Sequence, residues 1–312
     1  MNLPLIRRLR QNFPNAHLSF LADRSLGALM SFQRDLDEIV PFDPSSLRAF
    51  GREGRLYSIF RKGRYDCVVI SNPHKLMHLA ALWARIPLRI GFDRKWGFCL
   101  NRRIPDRKSE LALHEIDYDL ALADTICHEP WDRSFGLDFV EGASEGPWEK
   151  YGLDPSAKFI AFHTGSSNPR KEWPYERFGS VIEEVLQWGM FGVVLLGEGD
   201  PIAALHRMGL RDNPRLHNLM GRTSLVDLAR ILLHAACLVS VDSGPYHLAW
   251  IQKTPVVGIF LKDDPGSSPR RWGVYPGFSR CVELYDVRDR ISSDDVVEAV
   301  RKIMHAQRPV KA

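Results

Sequence analysis

The chain has 312 residues, 45% of them hydrophobic and 26% charged, a mix that excludes disorder and fibrous repeats. Its length suits two domains of about 150 residues each. The 42 Lys and Arg against 38 Asp and Glu leave a formal charge of +4, too mild for a dedicated nucleic-acid binder but suited to an anionic small molecule or a membrane surface.

In chain order, short β-rich runs alternate with amphipathic helical stretches, the sign of parallel sheets wrapped by helices. HLSFLAD (17–23), EIVPFD (38–43), YDCVVIS (65–71) and PLRIGF (87–92) predict strands, with helices over 46–61, 74–85 and 109–124. The Gly-, Pro- and Ser-rich stretch 141–158 predicts an inter-domain linker. Beyond it, FIAFHT (159–164), GVVLLG (192–197), CLVSVD (237–242), PVVGIF (255–260) and RCVELYD (280–286) predict buried parallel strands. Pro174 is expected in the first turn of a helix that stops before Gly189, and Ser224 with Asp227 and Ser292 with Asp295 predict two capped helix starts. The expected fold is α/β, two doubly wound domains over 1–145 and 146–290 with a C-terminal helix and tail over 291–312. A ligand cleft is expected at the carboxyl ends of both sheets. The five cysteines (67, 99, 127, 237, 281) form no CxxC pair and predict reduced thiols. With no apolar run of membrane-spanning length and no signal-peptide pattern at Met1-Asn2-Leu3-Pro4, the expected location is cytoplasmic.

Three loops carry candidate chemistry. VSVDSGPYHLA (239–249) reads as strand, tight turn and helix: Gly244 lets the backbone approach a ligand, and Pro245 presets the helical φ. The N–H groups at that helix start then form an anion site, with His247 one turn on. The plainer alternative is a helix cap by Ser243 or Asp242. A nucleophile elbow at Ser243 is disfavoured, because Val241 and Pro245 stand where that motif needs glycines. In HTGSSNPRKEWPYERF (163–178), Gly165, Ser166, Ser167 and Lys171 suit a diphosphate, although no Walker A pattern is present. In LLGEGD (195–200), Glu198, or alternatively Asp200, is placed to accept ribose hydroxyls. The pairs Asp35/Asp37 and Asp117/Asp119 lack metal-binding geometry, and no metal or cofactor is expected. Finally Arg85, Arg89, Arg94, Lys95, Arg102, Arg103, Arg107 and Lys108, interleaved with Trp96 and Phe98 and offset by Asp93 and Asp106, favour an anionic acceptor.

Together with MGRTSLVDLARILLHAACLVSVDSGPYHLAWIQKTPVVGIF and RRWGVYP (270–276), these loops resemble the heptosyltransferase-like glycosyltransferases, the ADP-heptose:lipopolysaccharide family. The shared signature is an H-x-G-x-x loop with K-x-W-P, a strand ending in G-G/E, and D-[ST]-G-x-x-H-L-A followed by T-P-x-V-x-[LI]-F-G. The resemblance implies a GT-B fold with the acceptor on the first domain and a nucleotide-diphosphate sugar, ADP-heptose, on the second. It implies that Lys171, Asp242, Ser243 and Gly244 hold the diphosphate and sugar, with Ser166 and Ser167 at the phosphates and Glu198 at the ribose. Thr223 would lie near the base, and His247 would support the turn. The implied reaction is inverting transfer, without metal, to an anionic lipid-linked saccharide such as a lipopolysaccharide core, with peripheral contact at the inner face of the membrane. The family begins with a strand and a Gly-Asp-x-[LVI] loop ahead of a T-P-L-L-R-x-L-R helix, and this sequence starts inside that helix. The loop Asp that would serve as general base then has no counterpart; Asp23 and Asp93, each following a strand, are the remaining candidates. The expectation is donor binding with slow transfer and a gap in the first sheet. The alternative function is a catalytically impaired nucleotide-sugar-binding remnant of the same family. An epimerase or phosphorylase would need further cleft carboxylates.

Overall fold

The computed structural model describes residues 1–43, 53–108, 113–139, 147–264 and 266–306. The chain divides into two compact units, Met1–Gly136 and Leu137–Ala312. Of the expected elements, 46–52, 109–112 and the linker portion 141–146 lie outside the described residues.

The first unit runs α1 (Leu3–Asn12), β1 (Ser19–Asp23), α2 (Gly27–Met30), β2 (Glu38–Phe42), α3 (Glu53–Gly63), β3 (Cys67–Ile70), α4 (Lys75–Trp83), β4 (Leu88–Phe92), β5 (Arg102–Ile104) and α5 (Glu115–Ala123). All its strands pair in parallel, but in two sheets, β1–β2 and β3–β4–β5. The break between them agrees with the gap expected in the first sheet: among the described residues no strand pairs with the second edge of β1 or of β3. Tyr118 and Leu122 of α5 pack on Ile90 and Phe92 of β4, while Leu56 and Phe60 of α3 join Ile70 and Ala80 in a second cluster.

The second unit runs α6 (Pro147–Tyr151), β6 (Phe159–His163), α7 (Tyr175–Gln187), β7 (Gly192–Leu196), α8 (Pro201–Met208), β8 (Leu216–Asn218), α9 (Leu225–His234), β9 (Cys237–Val241), α10 (Gly244–Ile251), β10 (Val256–Leu261), α11 (Pro269–Trp272), β11 (Cys281–Asp286) and α12 (Ser293–His305). Its six parallel strands lie in the order β11-β10-β9-β6-β7-β8. Every residue of β6, β9 and β10 is buried, as expected of strands covered by helices on both faces. By contrast RCVELYD is not a buried strand; β11 is at the sheet edge, and its residues are half-buried or exposed. In α7, Phe178, Val181, Ile182 and Val185 repeat at helical spacing and are fully buried. Pro174 precedes this helix as its N-cap and is not in its first turn. Ser292 and Asp295 form a reciprocal capping box, whereas Asp227 receives the Ser224 cap but turns its carboxylate to Lys150 and Tyr151. α12 packs Val296, Val300 and Ile303 into the same core as α7 and β10.

One glycine limits how closely two helices pack. A Cβ on Gly179 of α7 would come within 1.9 Å of the Met208 carbonyl oxygen at the end of α8. Gly179→Ala is therefore expected to destabilise the protein by about 1–3 kcal/mol, despite alanine's better helix propensity. Urea unfolding followed by tryptophan fluorescence measures this; an unchanged midpoint would show that α8 shifts at no cost.

The strand order has a direct consequence. From β6 the chain moves outward through β7 and β8, then returns to the other side of β6 for β9 and continues outward to β11. The carboxyl ends of β6 and β9 thus flank the reversal point, where open α/β sheets bind ligands.

Candidate functional site

Parallel pairing sets His163, the last residue of β6, opposite Ser240 of β9. The loops that follow these two strands are the HTGSSNPRK segment and the DSG turn. Ser243 precedes α10 with an extended backbone, and its side chain caps no helix N–H. Its Oγ lies 3.2 Å from His163 Nδ1 and 3.0 Å from Ser240 Oγ. The plain cap by Ser243 or Asp242 is thus not what the turn adopts, and the start of α10 keeps N–H groups to offer an anion.

Asp242 is the hub of the site. Its Oδ2 accepts from Lys171 Nζ at 2.6 Å and from Ser267 Oγ at 2.8 Å, and its Oδ1 lies 3.4 Å from His247 Nε2. Burial opposes its ionisation, but hydrogen bonds from His247, Lys171 and Ser267 outweigh it and hold the carboxyl at about 2. Trp250 Nε1–H can only donate, so His247 Nδ1, 3.3 Å away, accepts and the Nε2–H is directed at Asp242. Burial lowers the pKa of His247 in spite of that carboxylate, which favours this neutral form. Asn168 Nδ2 donates to Asp264 at 2.8 Å and Tyr246 donates to Glu283 at 2.6 Å. Glu283 also accepts from Val274 N at 2.7 Å, which fastens the RRWGVYP segment beside α10.

The Asp242 pKa carries a stability prediction. Because its folded value of about 2 lies below the ordinary 3.8, the stabilisation is complete above about pH 4 and is lost as pH falls towards 2. It amounts to about 2 kcal/mol. The melting temperature of the wild type is expected to fall more steeply than that of Asp242→Asn across this window. Parallel curves would remove Asp242 as the acid-sensitive group.

The remaining donor-side residues fall on neighbouring loops. Gly221 N donates to Gly197 O at 2.8 Å, tying the loop after β8 to the loop after β7. Gly221 has a φ of +69°, and a Cβ on it would come 2.7 Å from Gly199 O, so both conformation and space require glycine. Glu198 is exposed on the loop after β7, whereas Asp200 is consumed as the N-cap of α8. Thr223, half-buried, stands just before α9. Ser166 Oγ accepts from Asn168 N at 3.2 Å, and Ser167 is exposed.

Sequence reasoning missed His163, Ser240 and Ser267, which touch predicted site residues, and Thr164. Thr164 Oγ1 is buried and has no hydrogen-bond partner among the described residues, a cost of about 1–3 kcal/mol. The first three are small or neutral polar residues within apolar strands or a remote loop. His163 could have been found as the first residue of the H-x-G-x-x loop, and Ser240 as a polar residue within an otherwise apolar strand; Ser267 gave no local signal.

In the first unit the basic run divides. Arg89 is structural, its guanidinium donating to Cys99 O at 2.7 Å and Ile86 O at 2.5 Å. Lys108 pairs with Glu115 and lies 4.8 Å over the Phe92 ring. These two leave the expected acceptor patch because the fold uses their charge internally. Arg94 pairs with Asp106 at 3.1 Å and Arg103 with Asp93 at 3.5 Å, both at the surface. Beyond the end of β4, Lys95 and Trp96 take positive φ, and Trp96 and Phe98 stand 40% and 71% exposed with Lys75 Nζ 5.5 Å over the Trp96 ring. Arg85, Lys95, Arg102 and Arg107 are exposed. Asp23 accepts from Ser25 N at 2.8 Å as a local cap. The two DxD pairs are also separately engaged, Asp35 by Arg7 at 3.0 Å, Asp37 by Leu18 N at 2.7 Å and Asp119 by Asn2 at 3.0 Å. Among the described residues, no helix is long and apolar enough to cross a membrane.

Residues 54–276 match the family model described as glycosyltransferase family 9 (heptosyltransferase). Lipopolysaccharide heptosyltransferase 2 of Escherichia coli K12 is 26% identical over 288 residues, 86% of this chain and 81% of that protein. A family 9 glycosyl transferase from Veillonella parvula superposes with a TM-score of 0.81 at 20% identity, covering 98% of this chain and 93% of its own. The ADP-heptose lipopolysaccharide heptosyltransferase II of E. coli superposes at 0.79 and 22% identity, covering 98% and 94%.

Proposed function

Because the chain belongs to glycosyltransferase family 9, the heptosyltransferase family, and has its GT-B fold, we propose that it moves a heptose or related sugar from a nucleotide-diphosphate donor, ADP-heptose, to a lipopolysaccharide-core or similar saccharide. The observation that carries this is the cation and uncapped helix start gathered around Asp242 at the sheet's reversal point. In this reading the start of α10 at Gly244, with Ser166, Ser167 and Ser243, receives the diphosphate. Lys171 is the cation that stabilises charge on the departing nucleotide. Asp242, an anion whose oxygens are already engaged, works through Lys171 and His247 and does not touch phosphate. Glu198 takes the ribose hydroxyls and Thr223 lies at the base. ADP is favoured because the similar E. coli heptosyltransferase II is described as acting with ADP-heptose.

On the acceptor side, Trp96 and Phe98 offer apolar faces to sugar rings, and Lys95, Arg94, Arg102 and Arg103 offer charge to anionic groups. The same exposed aromatics and cations suit contact with an anionic membrane surface. Asp23 and Asp93 remain the carboxylates proposed for taking the acceptor proton.

Calorimetric titration with ADP-, GDP- and UDP-sugars tests the donor reading, with ADP-sugars expected to bind tightest. Transfer to a heptose-deficient lipopolysaccharide core tests the reaction. Donor binding without transfer would point to the binding-remnant alternative, and loss of transfer in Asp23→Ala or Asp93→Ala would identify the base. Absence of binding to any nucleotide sugar would sink the proposal.

A further inference from the structure

We propose that His163 is a positioning residue of the donor site: its Nδ1–H donates to Ser243 Oγ, so that His163 does not compete with the diphosphate for the Ser243 hydroxyl proton. The inference rests on the donor reading above and concerns a residue that opens the HTGSS loop but was given no role in the sequence reading.

The argument is a count of protons. His163 Nδ1 lies 3.2 Å from Ser243 Oγ and 3.4 Å from Ser240 Oγ, and the two hydroxyl oxygens are 3.0 Å apart. Ser240 Oγ is also 2.8 Å from Val241 O, and a carbonyl only accepts, so the single Ser240 proton goes there. Towards its neighbours Ser240 is then an acceptor. If His163 Nδ1 is bare, Ser243 faces two inward acceptors, Nδ1 and Ser240 Oγ. Its proton turns inward, and its lone pairs meet the ligand. That arrangement repels an anion. If Nδ1 carries the proton, it fills a Ser243 lone pair, one inward acceptor is removed, and a charged phosphate oxygen has only the neutral Ser240 Oγ to outcompete for the hydroxyl proton.

Several features hold this arrangement in place. His163 is 8% exposed, and register pairing fixes it beside Ser240. A Cβ on Gly197, whose φ is +141°, would lie 3.6 Å from His163 Cδ2 and 3.7 Å from Nε2, so the backbone after β7 lies against the ring. Ser243 spends no hydrogen bond capping α10. Burial pushes the His163 pKa down to about 4, so the ring works as a neutral tautomer and is a poor general base for Ser243.

Imidazole ¹⁵N spectra of the wild-type chain with ADP read the tautomer directly, with His163→Asn identifying the signal. An Nδ1–H imidazole in the complex is expected; an Nε2–H imidazole overturns the proposal. In calorimetry, His163→Phe is expected to bind ADP about tenfold more weakly, the size of one charge-assisted hydrogen bond. Adenosine affinity should be unchanged. His163→Asn, whose amide N–H falls close to the Nδ1–H position, should recover most of the loss, and in a Ser243→Ala background the His163→Phe effect should vanish. A loss shared equally by adenosine, or one undiminished in Ser243→Ala, marks a merely structural histidine. A wild-type chain that binds no ADP at all would instead overturn the donor reading, a failure visible before any variant is made.

Discussion

Gly244→Val is expected to abolish detectable ADP-sugar binding while leaving the protein folded. Gly244 is the first residue of α10, and a Cβ placed there meets no atom within 4 Å other than those of its two chain neighbours. Its φ lies outside the left-handed region, so the backbone strain on valine is confined to the contact of its Cβ with Pro245, which disfavours a helical conformation before proline. Helix propensity adds no further cost, because valine ranks above glycine in helices. The same branched side chain would stand where a phosphate must approach the N–H groups of the first turn. Calorimetry with ADP-sugar together with a thermal melt decides the matter. Unchanged affinity in a variant that melts like the wild type would remove this turn from the donor site.

Lys171→Ala is expected to weaken ADP binding by about 1.5–3 kcal/mol, roughly tenfold to a hundredfold, and to leave adenosine binding nearly unchanged. The lysine sits 2.6 Å from Asp242 Oδ2, whose side chain is 3% exposed, so it is held at the turn by a buried partner. The substitution also leaves that carboxylate with two partners in place of three. A second consequence follows from linkage: the Asp242 pKa should rise towards its ordinary 3.8, so the acid-induced loss of stability between about pH 4 and 2 should be smaller than in the wild type. Equal losses for adenosine and ADP would show that Lys171 acts on the fold and not on the phosphates.

The strands of the second unit were legible because β6, β7, β9 and β10 are covered on both faces and appear as apolar runs. The two short strands β5, RRI, and β8, LHN, were not. Each has three partly exposed residues at a sheet edge, where no apolar pattern is demanded. β11 was found but expected to be buried, because VELY reads the same at an edge as in the centre. In the basic run, composition could not separate Arg89 and Lys108, which the fold uses internally, from Lys95 and Arg102 at the surface.

By itself the sequence determined the local devices: Gly244 and Pro245 at a helix start, Lys171 in a polar loop, and Glu198 after a strand. Each follows from backbone conformation or charge at neighbouring positions, which adjacent residues dictate. Only the tertiary structure decided which of these devices meet. The order β11-β10-β9-β6-β7-β8 makes β6 and β9 neighbours and sets His163 against Ser243, 80 residues away. It also brings Lys171 to Asp242 across 71 residues, and Ser267 to the same carboxylate across 25. Burial then sets the ionisation of the group they share. Adjacency between strands and the dielectric around a side chain are properties of the packed sheet, and no stretch of neighbouring residues encodes them.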